Sequence, residues 1–237
     1  MRLNTNSKRT RTLVLTVSAI VSSYSFTACS SGTPQTPATN ATISVAAAMP
    51  AQANFVADMP PQQGAPMTTM AVTVDGDKVV AYATNGTNDG AYFFGTQKDG
   101  QMDLYSMYAD HLTASFDDRK VSGVIVMNEN GASTQKFTAS AVATPAGIYT
   151  ATHGDSRASW VVRPDQTMIG VMDNSAPGDH KVTDAIAAQD QQFKDRIRQR
   201  RLDLEMQPAP QMTYGTWSMD MHGNTVTAVP VTGSMSF

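Results

Sequence analysis

One cysteine stands in 237 residues, so no internal disulfide is available and a folded core must be held by packing and hydrogen bonds alone. Histidine is nearly as sparse. His111, His153, His180 and His222 are the four, and none falls at the short paired spacing of a zinc hydrolase. The chain also lacks a Gly-x-Ser-x-Gly nucleophile turn and a glycine loop at a strand-to-helix junction that would cradle phosphate. Only 16% of the residues are Asp, Glu, Lys or Arg. No apolar run approaches the roughly 20 residues that a membrane-spanning helix needs. These absences leave no catalytic constellation above the background expected of a chain rich in Ser and Thr.

What is present begins with a basic stretch carrying Arg2, Lys8, Arg9 and Arg11, then an apolar run over 13–21, then small residues over 22–28. That order is the pattern of an export signal, because an apolar core of about ten residues is half of a permanent span. Phe26-Thr27-Ala28-Cys29-Ser30 follows. The segment resembles the lipobox of bacterial lipoproteins, in which an aliphatic residue and two small residues precede an invariant cysteine. Phe26 departs from the aliphatic first position. The resemblance implies that Cys29 is acylated through its thiol, that residues 1–28 are removed as a signal peptide, and that membrane lipid is a partner through that acyl chain. It further implies an address on the extracytoplasmic face of the bacterial cell membrane. A lipidated thiol also removes the redox liability of a lone exported cysteine.

Loss of residues 1–28 would change the charge balance. The chain has 17 basic and 20 acidic residues, and four of the basic ones lie in the signal, leaving 13 against 20 or a net charge of −7. That balance excludes nucleic acid as an expected partner and disfavours broad contact with anionic lipid.

Residues 29–66, rich in Pro, Ala, Thr, Gln and Met and almost without charge, read as a flexible spacer after the lipidated end. From Met67 the pattern changes to short segments rich in Val, Ile, Thr, Tyr and Phe, separated by Gly, Asp and Asn. The spacing predicts strands over 68–74, 78–84, 91–96, 101–106, 111–116, 120–127, 135–142, 147–152, 159–163 and 167–172. Asp75-Gly76, Asn85-Gly86, Asp99-Gly100 and Asn130-Gly131 supply tight reversals. With little room for crossover helices, neighbours should pair antiparallel. The fold class expected for 67–175 is therefore mainly β: a small antiparallel meander barrel, with a two-sheet sandwich as the alternative. Val124 and Val126 alternate with Ile125 and Met127, which suggests a strand covered on both faces.

One helix is expected within 176–210, running from 182 to 206, with Ile186, Phe193, Ile197 and Leu204 along one stripe that covers the barrel or plugs one end. Arg196, Arg198, Arg200 and Arg201 crowd its second half. Six basic and six acidic residues between Asp179 and Glu205 balance, so the arginines read as favourable charge toward the helix C-terminus more readily than as a lipid or partner surface. Residues 211–237 form a tail with a possible final strand over 225–231.

The residues offer three chemistries. Met219-Asp220-Met221-His222 with Met212 offers soft copper ligands, but methionine is spread along the chain and fills apolar gaps elsewhere, so no metal or cofactor is assigned. Asp75, Asp77, Asp89, Asp117 and Asp118 sit near turns without the alternating ligand order of a calcium loop. An acid–base relay would require His111 or His153 within reach of both a Ser and an Asp. The reading is a non-enzymatic, membrane-anchored lipoprotein that binds a protein partner or serves as a scaffold. The alternative is a module for a small apolar molecule or lipid inside the β domain, and its ligand-binding residues are unknown. A centre filled by Leu104, Phe116, Val124 and Ile148 would argue against a lumenal ligand, whereas a continuous cavity would favour it. Tyr92 and Tyr105 are the candidate aromatics for such a surface.

Overall fold

The computed structural model describes residues 48–60, 67–117, 119–128, 134–174 and 191–237. Cys29, the signal segment, the spacer before Ala48 and the predicted helical turns over 182–190 lie outside the described residues.

Eight strands close into an antiparallel barrel in simple meander order: β1 (Gln52–Asp58), β2 (Thr69–Asp75), β3 (Lys78–Thr84), β4 (Gly90–Lys98), β5 (Gln101–Ser106), β6 (His111–Asp117), β7 (Lys120–Val126) and β8 (Thr134–Val142). The turns explain the tight connections. Between β4 and β5, Lys98 pairs with Gln101 and the two loop residues Asp99 and Gly100 both take positive φ, at 52° and 74°. That is the twisted two-residue reversal that matches strand twist and favours Asp-Gly. Closure comes from β1, whose Phe55 pairs with Val72 on one side and Ala141 on the other.

β1 corrects the expected spacer, since Gln52–Asp58 lies within 29–66. Its signal is short and impure. Phe55 and Ala57 point into the core and Val56 faces outward, while the polar Asn54 satisfies itself by accepting from the Thr73 hydroxyl at 3.0 Å and donating to the Ala146 carbonyl at 3.2 Å.

The second correction concerns the last three predicted strands. β9 (Gly147–His153), β10 (Ser156–Val162) and β11 (Met168–Asp173) leave the barrel and form a second sheet, extended at its edges by β12 (Gln207–Pro208) and β15 (Val229–Pro230) in the order β12-β11-β10-β9-β15. Ile148 and Val161 on this sheet pack on Val56, Ala71, Val80 and Tyr82 of the barrel's outer surface. Within the barrel, β2 and β3 are therefore buried on both faces. The strand expected to be so, β7, turns Val121 and Ile125 into the barrel and leaves Val124 and Val126 half-exposed outside. On the far side of the second sheet the hairpin β13 (Ser218–Met221) and β14 (Asn224–Thr227) packs over Tyr149, Trp160 and Met172.

The helix α1 (Gln191–Asp203) seats Ile197 against the barrel core, followed by Leu204 and Met206 just beyond its end. Of the predicted stripe, Ile197 and Leu204 meet the barrel core, and Ile186 lies outside the described residues.

Candidate functional site

The barrel's interior is occupied by its own side chains. Phe55, Met70, Val72, Phe93, Leu104, Leu112, Ile125 and Phe137 belong to one continuous cluster, and most are wholly buried. Small barrels of eight strands are just wide enough to be filled in this way. Of the four residues proposed as a diagnostic centre, Leu104 is in that cluster and Phe116 packs against it, Val124 faces out, and Ile148 is buried between barrel and second sheet. The space for a ligand lies elsewhere.

That space is a cleft of about 640 Å³ on the second sheet, bounded by Thr150, Ala151 and Thr152 of β9, Arg157 of β10, Val226 and Thr227 of β14, Val229 of β15, and Met235 to Phe237. The volume is within the ordinary range for small-molecule sites. The strands explain why it is open. β15 pairs only Val229 and Pro230 with Thr150 and Tyr149, so the upper part of β9 forms a wall and the chain beyond Val231 folds back to form another. A second hollow of about 600 Å³ lies at the junction of β1, β2 and the loop before β9. A shallow depression of about 500 Å³ lies on the outer faces of β5 to β7, walled by Gln101, Asp103, Thr113 and Ser122. Met102, Ala114, Gly123 and Val124 complete its lining.

Where the cleft meets the barrel, a polar and aromatic seam is built. Even-numbered residues of β10 face the hairpin, so Arg157 and Ser159 face the barrel. The Tyr92 hydroxyl donates to Ser159 Oγ at 2.9 Å, and Ser159 Oγ lies 3.4 Å from Thr150 Oγ1. Burial pushes the Tyr92 phenol up to about 12, against the pull of those hydroxyls. Its ring lies 4.5 Å from that of Tyr82, 5.6 Å from Phe94 and 5.1 Å from Phe237. The Arg157 guanidinium stands 4.7 Å over the Phe237 ring. Arg157 is 4% exposed, and Asp173 stands opposite it in the ladder with β11. Tyr92 thus belongs to the seam, whereas Tyr105, the other candidate aromatic, stacks on His111 at 4.4 Å on the barrel's solvent side.

No family model, curated protein or solved structure matches the chain.

The remaining candidates are dispersed. His111 Nε2 is 2.6 Å from Asp103 Oδ1 on the barrel surface, and the bonds described for it bring no serine. His222 shares a 3.0 Å hydrogen bond with Ser156 on the exposed β13–β14 turn, a pairing that sequence reading missed because the two are 66 residues apart. The bonds described for that pair include no carboxylate to orient the imidazole. Met212, Met219 and Met221 are buried in the cluster beneath the hairpin, and His222 points to solvent. Among the described residues no group of three or more His, Cys, Asp or Glu could hold a metal ion, and no helix is long and apolar enough to cross a membrane.

The acidic residue Asp89 has a different use. With Asp110 it converges on Arg201 of α1: Arg201 Nε donates to Asp89 at 2.9 Å and Nη1 to Asp110 at 3.0 Å, with the guanidinium 4.8 Å over Tyr108. Asp110 also accepts from the Ser106 hydroxyl at 2.7 Å and the Asn128 N–H at 2.8 Å. Burial draws the guanidinium pKa down, but the two carboxylates outweigh it and the net shift is upward. This knot fixes the helix to the barrel loops. Arg157 and Phe237, by contrast, were not singled out by sequence; a lone Arg inside the apolar strand Ser156–Val162 was the available signal.

Proposed function

We propose that the protein is a non-enzymatic binding module, anchored through acylated Cys29 on the extracytoplasmic face of a bacterial membrane, whose ligand site is the cleft beside β9. The carrying observation is the contrast between a barrel filled by its own core and a cleft of about 640 Å³ left beside the second sheet. Apolar walls from Ala151, Val226, Val229 and Met235, with a few hydroxyls and one guanidinium at the seam, suit a small, mainly apolar molecule. The lipid anchor is supported by the signal-like order of residues 1–29 and by the lone cysteine at its end. A purely scaffolding role would leave this cleft without a use.

The test is native mass spectrometry of the chain purified from its own host. A retained small molecule, together with a diacylglycerol-sized mass addition at Cys29, is the expected result. Thr152 is an exposed wall residue, so Thr152→Trp should fill the cleft without disturbing the core and remove the retained molecule. Retention undiminished in Thr152→Trp would place the ligand elsewhere, and an unmodified Cys29 would end the anchor reading.

A further inference from the structure

We infer that the cleft selects ligands bearing a single aromatic ring, and that Phe237 is a built-in occupant that such a ring displaces; this rests on the cleft being the binding site. The ring of Phe237 is held edge-on by two aromatic neighbours, Tyr92 at 5.1 Å and 63° and Phe94 at 5.7 Å and 75°. Arg157 covers it at 4.7 Å. Edge-to-face ring pairs and a guanidinium over a ring face both depend on the π-system, beyond the area buried. An aliphatic group of the same size would lose both interactions. The slot is therefore specific for an aromatic ring, and the ring that fills it belongs to the chain.

The occupant is also poised to leave. Phe237 remains half-exposed and lines the open cleft, and its neighbours Ser234 and Ser236 are exposed. The nearest firm attachments of the segment are the Val231 N–H donating to Ile148 at 2.8 Å and the turn closed by Met235 donating to Thr232 at 3.0 Å. Withdrawal of Phe237 and Met235 would join the aromatic slot to the space beside β9. By contrast, Tyr92 is anchored by Ser159 and buried, so the receiving wall stays formed. Asp173 opposite Arg157 offsets the cation's charge, which favours an uncharged ring compound over an anion.

The experiment uses the full chain and two uncharged probes, N-acetyl-phenylalanine amide and its cyclohexylalanine analogue, titrated by calorimetry into the wild type, Phe237→Ala and Phe237→Leu. Phe237→Ala should bind the phenyl probe at least tenfold more tightly than the wild type and several-fold more tightly than the cyclohexyl probe. Phe237→Leu keeps apolar bulk at the segment's end and should show the same preference with a smaller gain, which serves if the alanine variant is poorly folded. Equal affinities for the two probes, or no gain in either variant, would overturn the inference. A wild type that still takes up an aliphatic alcohol, lost in Thr152→Trp, would then show that the cleft reading survives while the aromatic assignment fails; loss of that uptake in the wild type would overturn both.

Discussion

Asp89 shows how burial and pairing compete at one residue. Its carboxyl pKa lies above the ordinary 3.8, burial being the largest cause, although the Arg201 guanidinium pulls it back down. Above the raised value the carboxyl is ionised in folded and unfolded chains alike, and below 3.8 it is protonated in both. Between them the folded state binds more protons, so stability falls as pH rises through that window. Asp89→Asn carries a neutral group throughout. The stability of the wild type relative to Asp89→Asn, followed by urea unfolding at a series of pH values, should therefore be greatest at the acid end and decline across the window. A difference that rises with pH would contradict the account. From sequence Asp89 was legible only as a turn carboxylate, because its partner Arg201 is 112 residues away. Arg157 and Phe237 were hidden for the same reason: their meaning depends on which strand faces which layer.

At the scale of the element, α1 is held by a charge knot as well as by Ile197. Asp110 is fully buried and Arg201 brings a guanidinium to it from the helix. Removing one partner of a buried pair leaves the other charged and desolvated, at about 3–5 kcal/mol. Arg201→Met keeps the length of the side chain and removes the charge. It should lower unfolding stability by about that amount and raise amide hydrogen exchange across Gln191–Asp203 while the exchange of β2 and β3 keeps its order relative to the rest. Unchanged exchange in the helix would show that apolar contact alone seats it. The helix and the strands between Thr69 and Asp173 were legible locally, since alternation and Gly-bearing turns at 76 and 100 do not depend on distant partners, whereas β12 and β13 were not foreseen and the one strand expected over 225–231 is divided between β14 and β15 in separate sheets. β1 was not legible either: only Phe55 and Val56 among its seven residues are strong strand formers, and its pairing to β8 spans most of the barrel sequence.

For the whole molecule, a meander pattern told of strands but not of where closure falls. The expected small antiparallel barrel is present, but the ten predicted strands do not all share it; closure after eight, with a strand from before Met67 as the first, releases β9 to β11 to build a second layer. That layer covers the outward residues Ala71, Val80 and Tyr82 and creates the cleft at its own edge. Hydrophobicity alone could not separate lumen from interlayer contact, because both bury the same residue types. The arrangement makes the choice between a lumenal and a lateral ligand site a question of which methionines a ligand touches. Met70 and Met102 lie in the barrel core, Met219 and Met221 under the hairpin, and Met235 on the cleft wall. The most direct measurement is a methyl NMR titration of the methionine-labelled full chain with benzene as the apolar probe. The account predicts that the Met235 methyl shifts first and saturably while Met70 and Met102 stay in place; early saturable shifts at Met70 and Met102 with Met235 unmoved would contradict it.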